Sequence, residues 1–152
     1  IATDLTRKHT KPTKNIFFVL EALLERDIKF AICSNSKRAD ITRKLKLAKL
    51  EKYFTEKEIF TFELKGSAKP KPDVYFEAIE FFKINKAEAL IIEDSMAGVE
   101  AGINAGIETL LYTGGGHHAK NPDISKNILE TLNSSYIKGT INDLKEIVNF
   151  IK

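Results

Sequence analysis

The sequence of 152 residues has little of what disulfide-bonded, membrane or nucleic-acid-binding proteins need. Its single cysteine, Cys33, excludes an intrachain disulfide and favours a reducing, cytoplasmic location. No apolar run approaches the length of a bilayer span, and no signal-peptide pattern opens the chain. The 24 basic and 21 acidic residues leave a formal net charge of +3, and the lysines are scattered along the chain. Neither a membrane nor nucleic acid is therefore an expected partner.

The length fits one domain with a hydrophobic core, and the order of the predicted elements indicates its class. Segments with helical spacing of apolar residues alternate with short apolar runs that are typical of buried strands. We predict helices over residues 14–26, 37–47, 72–82, 95–105, within 123–132 and over 141–151, and strands over 28–33, 59–62, 89–92, 109–112 and 136–138. This alternation predicts an α/β fold with a Rossmann-like parallel sheet covered by helices on both faces.

Two adjacent carboxylates, Glu93 and Asp94, follow the apolar run 89–92. Ser95 is a predicted N-cap of the next helix, which Gly106 is expected to end. The pair should then lie at the carboxyl end of a strand, where open α/β sheets bind ligands. Adjacent carboxylates repel each other unless a cation shares them, and Mg²⁺ is the natural candidate. A solvated turn followed by a helix cap is the alternative explanation.

Two other polar groups also follow or connect predicted strands. Ser34 and Asn35 come directly after the run that ends at Cys33, and a helix start with a hydroxyl and an amide can hold an anion. A helix cap explains the same two residues without a ligand. Lys69 lies in the predicted loop over residues 65–72, which two prolines stiffen. A lysine on a stiff loop is a fixed positive charge suited to phosphate, although most loop lysines are simply exposed.

Taken in order along the chain, these residues resemble three motifs of the haloacid dehalogenase-like hydrolase superfamily. Ser34 ends an apolar strand, Lys69 opens a Lys-Pro-x-Pro-Asp-x-Tyr sequence, and Glu93 and Asp94 open a Glu-Asp-Ser-x-x-Gly sequence. The likeness is greatest to the branch with β-phosphoglucomutase and phosphoglycolate phosphatase-like enzymes. It covers residues 15–151, so it implies a core of that fold for nearly the whole chain.

The resemblance also implies a role for each of these residues. Ser34, assisted by Asn35, would bind the transferring phosphoryl group, and Lys69 would stabilise its negative charge. Glu93 and Asp94 would hold Mg²⁺ directly or through water. The implied activity is Mg²⁺-dependent phosphohydrolysis of a small phosphorylated metabolite through an aspartyl-phosphate. The alternatives are a phosphomutase of the same superfamily, and a non-catalytic fragment or homologue that binds phosphate or a protein partner.

The first motif of the superfamily, Asp-x-Asp, is absent from the sequence. Asp4 is a poor substitute, because no apolar strand precedes it and Thr6 stands where the second aspartate should be. We expect residues 1–13 to be a linker or the tail of a cap domain, and residues 14–152 to be the C-terminal part of the core. The isolated chain is therefore predicted to be inactive.

The missing motif also implies a missing strand. In the resembled fold that strand lies between the strands that end near Ser34 and Asp94, so its absence would leave two inner edges unpaired. The first residue is Ile1 rather than methionine, which favours a chain taken from within a longer protein. A missing N-terminal segment, or a second chain, is expected to complete the sheet.

The adjacent histidines and the single cysteine are explained by structural roles rather than by metal binding or catalysis. His117 and His118 follow three glycines, and no cysteine or histidine cluster completes a closed metal site around them, so we predict a flexible surface loop at the edge of the site. Cys33 lies in an apolar run and is predicted to be a core residue rather than a nucleophile.

Overall fold

The computed structural model describes residues 11–151. Asp4 and most of the predicted linker over residues 1–13 lie outside this range. Within it the strands are β1 (Ile32–Ser34), β2 (Ile59–Thr61), β3 (Leu90–Glu93), β4 (Glu108–Tyr112) and β5 (Ile137–Ile141). The α-helices are α1 (Ile16–Glu25), α2 (Arg38–Leu47), α3 (Asp73–Phe82), α4 (Met96–Ala105), α5 (Gly116–Lys120) and α6 (Asp123–Leu132). Short 3₁₀ helices span Glu56–Glu58, Lys86–Glu88 and Leu144–Asn149.

The strands form two separate parallel sheets. β1 pairs with β2, and β3, β4 and β5 pair in that order, with a register shift between Thr109 and Leu110 where β4 meets β5. Within residues 11–151, the edges of β1 and β3 that face away from these partners pair with no other strand. The predicted α/β fold with parallel strands is confirmed. Its strands are divided into two sheets between β1 and β3, which is where the missing strand is expected.

The core consists of aliphatic side chains from the strands and from the helix faces that cover them. β4 shows this burial clearly, because four of its five residues are buried and three of those are apolar side chains with no more than 5% exposure. Such continuous burial is typical of parallel strands covered on both faces. The largest fully buried aliphatic side chains are Val19, Leu20, Ile59, Val74, Val99, Ile107, Leu110, Leu111, Ile128, Ile141 and Leu144.

The helix that follows the acidic pair begins and ends as predicted. The side-chain oxygen of Ser95 accepts a hydrogen bond from the Gly98 backbone N–H at 3.1 Å, which caps the first turn of α4. α4 ends at Gly106, whose φ of 68° is the left-handed conformation that glycine adopts without strain. Ser95 therefore determines where α4 begins after β3, and Gly106 determines where it ends.

The largest boundary errors concern the first strand and the C-terminal elements. The first strand is predicted over residues 28–33, whereas β1 covers Ile32–Ser34. The last strand is predicted over residues 136–138, whereas β5 covers Ile137–Ile141. The predicted helix over residues 141–151 is wrong, because Ile141 belongs to β5 and only Leu144–Asn149 are helical, as a 3₁₀ helix. Asp143 is the N-cap of that short helix, and its side chain and that of Glu146 form a capping box. The capping box separates the strand from the helix.

No helix within residues 11–151 combines the length and the apolar character that crossing a bilayer requires.

Glu77 on α3 is a buried carboxylate, and its burial makes the stability of the fold depend on pH. Neither of its carboxylate oxygens has a hydrogen-bond partner among residues 11–151. Burial raises the pKa of Glu77 above its ordinary value of 4.5, and nearby Lys65 offsets only part of this effect. The folded state therefore binds this proton more tightly than the unfolded state, so stability falls as pH rises from the ordinary pKa through the raised one.

Glu77→Gln is expected to raise the thermal unfolding midpoint at neutral pH, because it removes the charge that burial penalises. It should also reduce the loss of stability between acid and neutral pH, measured by thermal unfolding at a series of pH values. Glu25→Gln, at an exposed position of α1 and not among the charges that act on Glu77, is the matched control. A Glu77→Gln profile that overlays the Glu25→Gln profile would contradict the prediction.

Candidate active site

Lys69 joins the carboxyl ends of the two sheets. Its Nζ donates a hydrogen bond to the backbone carbonyl of Cys33 in β1 at 2.8 Å, and forms a buried ion pair with Glu93 at the end of β3. Lys69 is 8% exposed and Glu93 is 1% exposed, so both charges are withdrawn from water. The structure thus brings together Lys69, Glu93 and, as the next residue after Cys33, Ser34.

The Glu93 carboxylate is held by three side chains. Oε1 accepts hydrogen bonds from Lys69 and from the Tyr75 hydroxyl, the latter at 2.8 Å, and Ser95 Oγ lies 3.4 Å from Oε2. Burial, and then the charge of Glu93, raise the pKa of Tyr75 well above its ordinary value, so the hydroxyl keeps the proton that it donates. Sequence reasoning missed Tyr75, although it is the tyrosine of the Lys-Pro-x-Pro-Asp-x-Tyr sequence.

Asn35 positions the backbone of the lysine loop. Its side-chain oxygen accepts from the Lys69 backbone N–H at 2.7 Å, and its side-chain nitrogen donates to the Lys69 carbonyl at 3.2 Å. The Lys69–Pro70 peptide bond is cis. Asn35 was predicted to assist in phosphate binding, and in this structure its amide group contacts the residue that carries the positive charge.

Ser34 is half-buried at the end of β1. Its side-chain oxygen accepts a hydrogen bond from the Ser36 backbone N–H at 3.0 Å. This bond uses an acceptor site of the hydroxyl and leaves its proton for donation to another group. Ser34 can therefore donate to an anion beside Lys69.

Gly98 allows α4 to approach the Glu93 carboxylate. A Cβ atom at this position would lie 2.0 Å from Glu93 Oε2 and 2.1 Å from its carboxyl carbon. Real Cβ atoms do not approach other heavy atoms so closely, so only glycine fits beside this carboxylate. The close packing of α4 on Glu93 therefore explains why the Glu-Asp-Ser-x-x-Gly sequence has glycine at its last position.

Asp94 is 7% exposed and lies between β3 and the cap of α4. Its backbone carbonyl oxygen contacts Nε2 of His117 at 3.0 Å and Nε2 of His118 at 2.7 Å. The predicted flexible surface loop is therefore wrong for His118, because Gly116–Lys120 form α5 and His118 is buried. The signal available in the sequence was the position of the histidines directly after a strand that ends at the same edge.

The residues proposed for Mg²⁺ differ in their surroundings. Within residues 11–151 no group of three or more His, Cys, Asp or Glu side chains is arranged to hold a metal ion. The carboxylate of Glu93 is engaged by Lys69 and Tyr75, whereas Asp94 Oδ2 lies 3.7 Å from His117 Nε2. Mg²⁺ is commonly held by one or two carboxylates, with water and phosphate oxygens as the other ligands, and Asp94 fits that requirement. The Mg²⁺ site predicted at Glu93 and Asp94 stays a prediction, and the surroundings of the two carboxylates favour Asp94 as the residue that binds the ion.

An apolar cavity of about 190 Å³ lies between the unpaired edges of β1 and β3. We call it the β1–β3 slot; its walls include Cys33, Tyr75, Ile79, Phe82, Ile91 and Ile92. Burial raises the pKa of the Cys33 thiol to about 11, so the thiol is neutral and belongs to the core as predicted. Glu93 also contributes to the wall of the slot.

A family profile and individual related proteins indicate the same family for this chain. The profile described as haloacid dehalogenase-like hydrolase matches residues 1–112. The chain is 30% identical over 131 residues to a phosphorylated carbohydrates phosphatase of Thermotoga maritima, which is 85% of this chain and 57% of that protein. It is 35% identical over 104 residues to a phosphoglycolate phosphatase of Aquifex aeolicus, which is 68% of this chain and 47% of that protein.

A solved structure agrees with the sequence relatives. A HAD family hydrolase from Deinococcus radiodurans, with bound phosphate and sodium, matches with a TM-score of 0.76 and 29% identity. The match covers 88% of this chain and 56% of that one. The chain therefore spans about half the length of the curated relatives that it matches.

Proposed function

Because the chain belongs to the haloacid dehalogenase-like hydrolases, as its motifs indicated, we propose that it is part of a Mg²⁺-dependent phosphohydrolase for small phosphorylated metabolites. The observation that carries the proposal is the buried pair of Lys69 and Glu93 next to Ser34 and Asp94. Relatives named as phosphatases of phosphorylated carbohydrates and of phosphoglycolate support the substrate class.

Lys69 and Ser34 would bind the phosphoryl group. A buried ammonium acts on a negatively charged phosphoryl group in surroundings that screen it far less than water does. Glu93 and the Cys33 carbonyl hold Lys69 Nζ in place, so little reorganisation is needed when the substrate enters. Ser34 donates a hydrogen bond from its hydroxyl group to a phosphoryl oxygen. Phosphoryl transfer depends mostly on such positioning and charge stabilisation.

Asp94 would hold the Mg²⁺ ion, directly or through water. Its carboxylate supplies the hard oxygen atoms that Mg²⁺ prefers, and the substrate phosphate and water can supply the remaining ligands. When bound, the ion neutralises charge on the transferring phosphoryl group. Glu93, whose carboxylate contacts Lys69 and Tyr75, acts on the site through the position of the lysine.

The nucleophile would come from outside this chain. The sequence contains no Asp-x-Asp, the motif that supplies the attacking aspartate in the family it resembles. The β1–β3 slot offers apolar walls and two unpaired parallel edges, so one extended apolar strand would satisfy both sets of backbone groups. We place there a strand from a preceding segment of the same protein, with its aspartate next to Lys69. A strand from a second chain is the alternative source.

The full-length protein is expected to hydrolyse p-nitrophenyl phosphate in the presence of Mg²⁺ and to lose this activity in EDTA. Asp94→Asn should raise the Mg²⁺ concentration for half-maximal activity by about tenfold or more, since even groups that only support a metal ligand have effects of that size. The measurement is a Mg²⁺ titration of the initial rate.

Asp27→Asn is the control for the titration. Asp27 is exposed in the turn before β1, and its φ of 52° suits asparagine. An unchanged titration for Asp94→Asn would refute the Mg²⁺ assignment, and a full-length protein that cleaves no phosphate ester would refute the proposed function.

A further inference from the structure

His117 and His118 direct the same ring atom at one backbone group. Their Nε2 atoms lie 3.0 Å and 2.7 Å from the carbonyl oxygen of Asp94, and the two rings are 4.3 Å apart. A carbonyl oxygen has two lone pairs, so the two contacts fill its capacity as an acceptor. Both histidines thus act on the main chain of Asp94, the residue proposed to hold Mg²⁺.

The acceptor determines where the ring protons are. A carbonyl oxygen only accepts, so each nitrogen that bonds to it carries a proton, and both histidines have the proton on Nε2. In a neutral ring, Nδ1 is then an acceptor. Nδ1 of His118 is buried and has no hydrogen-bond partner among residues 11–151. A buried polar atom without a partner costs free energy. The hydrogen bond from Nε2 to the Asp94 carbonyl is the polar interaction that offsets this cost for His118.

Asp94 is a short connection between two rigid elements, β3 and the Ser95 cap of α4. Because its carbonyl is fixed by two donors, the peptide plane after Asp94 has little freedom to rotate. His117 Nε2 also lies 3.7 Å from Asp94 Oδ2, on the carboxylate itself. We propose that His117 and His118 are positioning residues that hold the Asp94 backbone, and through it the carboxylate, in the orientation that binds Mg²⁺. This inference rests on the proposed function.

Two variants of the buried histidine separate positioning from simple packing. His118→Phe keeps an aromatic ring and removes the donor, whereas His118→Gln retains an N–H donor close to the place of Nε2. The dissociation constant of Mg²⁺ alone is measured by calorimetry on the full-length protein and both variants, together with their thermal unfolding midpoints. The ¹³C shift of the Asp94 carbonyl, measured by NMR, reports directly on its hydrogen bonds.

We expect His118→Phe to weaken Mg²⁺ binding about tenfold, the size of effect seen for groups that orient metal ligands, and to shift the Asp94 carbonyl resonance. His118→Gln should stay close to the wild type in both measurements. If His118→Phe does not fold, the variants His117→Phe and His117→Gln of the half-buried neighbouring histidine are tested by the same two measurements, with the same expected results.

Two results would overturn the inference, and they differ in what else they affect. Equal Mg²⁺ affinity for the wild type and His118→Phe would refute the positioning role and leave the proposed function intact. A wild-type protein that binds no Mg²⁺ would refute the proposed Mg²⁺-dependent function and the inference with it.

Discussion

Lys69→Met in the full-length protein is expected to lower kcat for phosphate ester hydrolysis by about 10²- to 10³-fold, the effect of losing one electrostatic stabiliser of the transition state. Methionine has a similar length and no charge, so the phosphoryl group loses its positive partner. The same change leaves the Glu93 carboxylate buried without its cation, which typically costs about 3–5 kcal/mol of stability. The measurements are steady-state kinetics and denaturant unfolding.

A second substitution separates the two effects. In the double variant Lys69→Met with Glu93→Gln no buried charge lacks its partner, so much of the lost stability should return while kcat stays low. Lys71→Met, at an exposed position of the same loop, is the matched control and should leave both properties unchanged. A near-normal kcat for Lys69→Met, with the protein folded, would contradict the role of the lysine.

Gly98→Ala is expected to destabilise the protein and to reduce activity through Glu93. The new Cβ would lie 2.0 Å from Glu93 Oε2, so either α4 or the carboxylate must move. Forcing an extra methyl group into such a packed position typically costs about 1–3 kcal/mol. A displaced Glu93 would no longer hold Lys69, so kcat should fall together with the thermal unfolding midpoint.

Gly116→Ala provides the comparison for this substitution. Gly116 is the first residue of α5, and a Cβ atom there would have no heavy atom within 4 Å among the described residues. It should behave like the wild type in both measurements. If Gly98→Ala and Gly116→Ala had the same stability and the same kcat, the close packing of α4 on Glu93 would not matter for the site.

The parts of the site that could be predicted from sequence are those with strong local signals. The run before Glu93 identifies a strand, Ser95 has a side chain that caps helices, and Gly106 has the conformational freedom that ends them. Parallel strands place their carboxyl ends at the same edge, which brings Cys33 and Glu93 together, and the Lys69 side chain contacts both. The family resemblance then followed from the order of these residues.

The parts that could not be predicted depend on contacts distant in sequence. No local pattern shows that Tyr75 and Lys69 share one oxygen of Glu93. The five residues of α5 are too few for an apolar period, so the burial of His118 was missed. Ile141 fits the spacing of a helix as well as that of a strand, and its pairing with Tyr112 decides between them.

The division of the fold into two sheets underlies the central claim, which is that this chain provides the phosphate and metal groups while another segment provides the nucleophile. The most direct test is the intact mass, with peptide sequencing, of the protein isolated from its natural source under denaturing conditions. We predict a species well above 17.1 kDa in which a segment with Asp-x-Asp precedes Ile1. A single species of 17.1 kDa that hydrolyses phosphate esters with Mg²⁺ would contradict the claim.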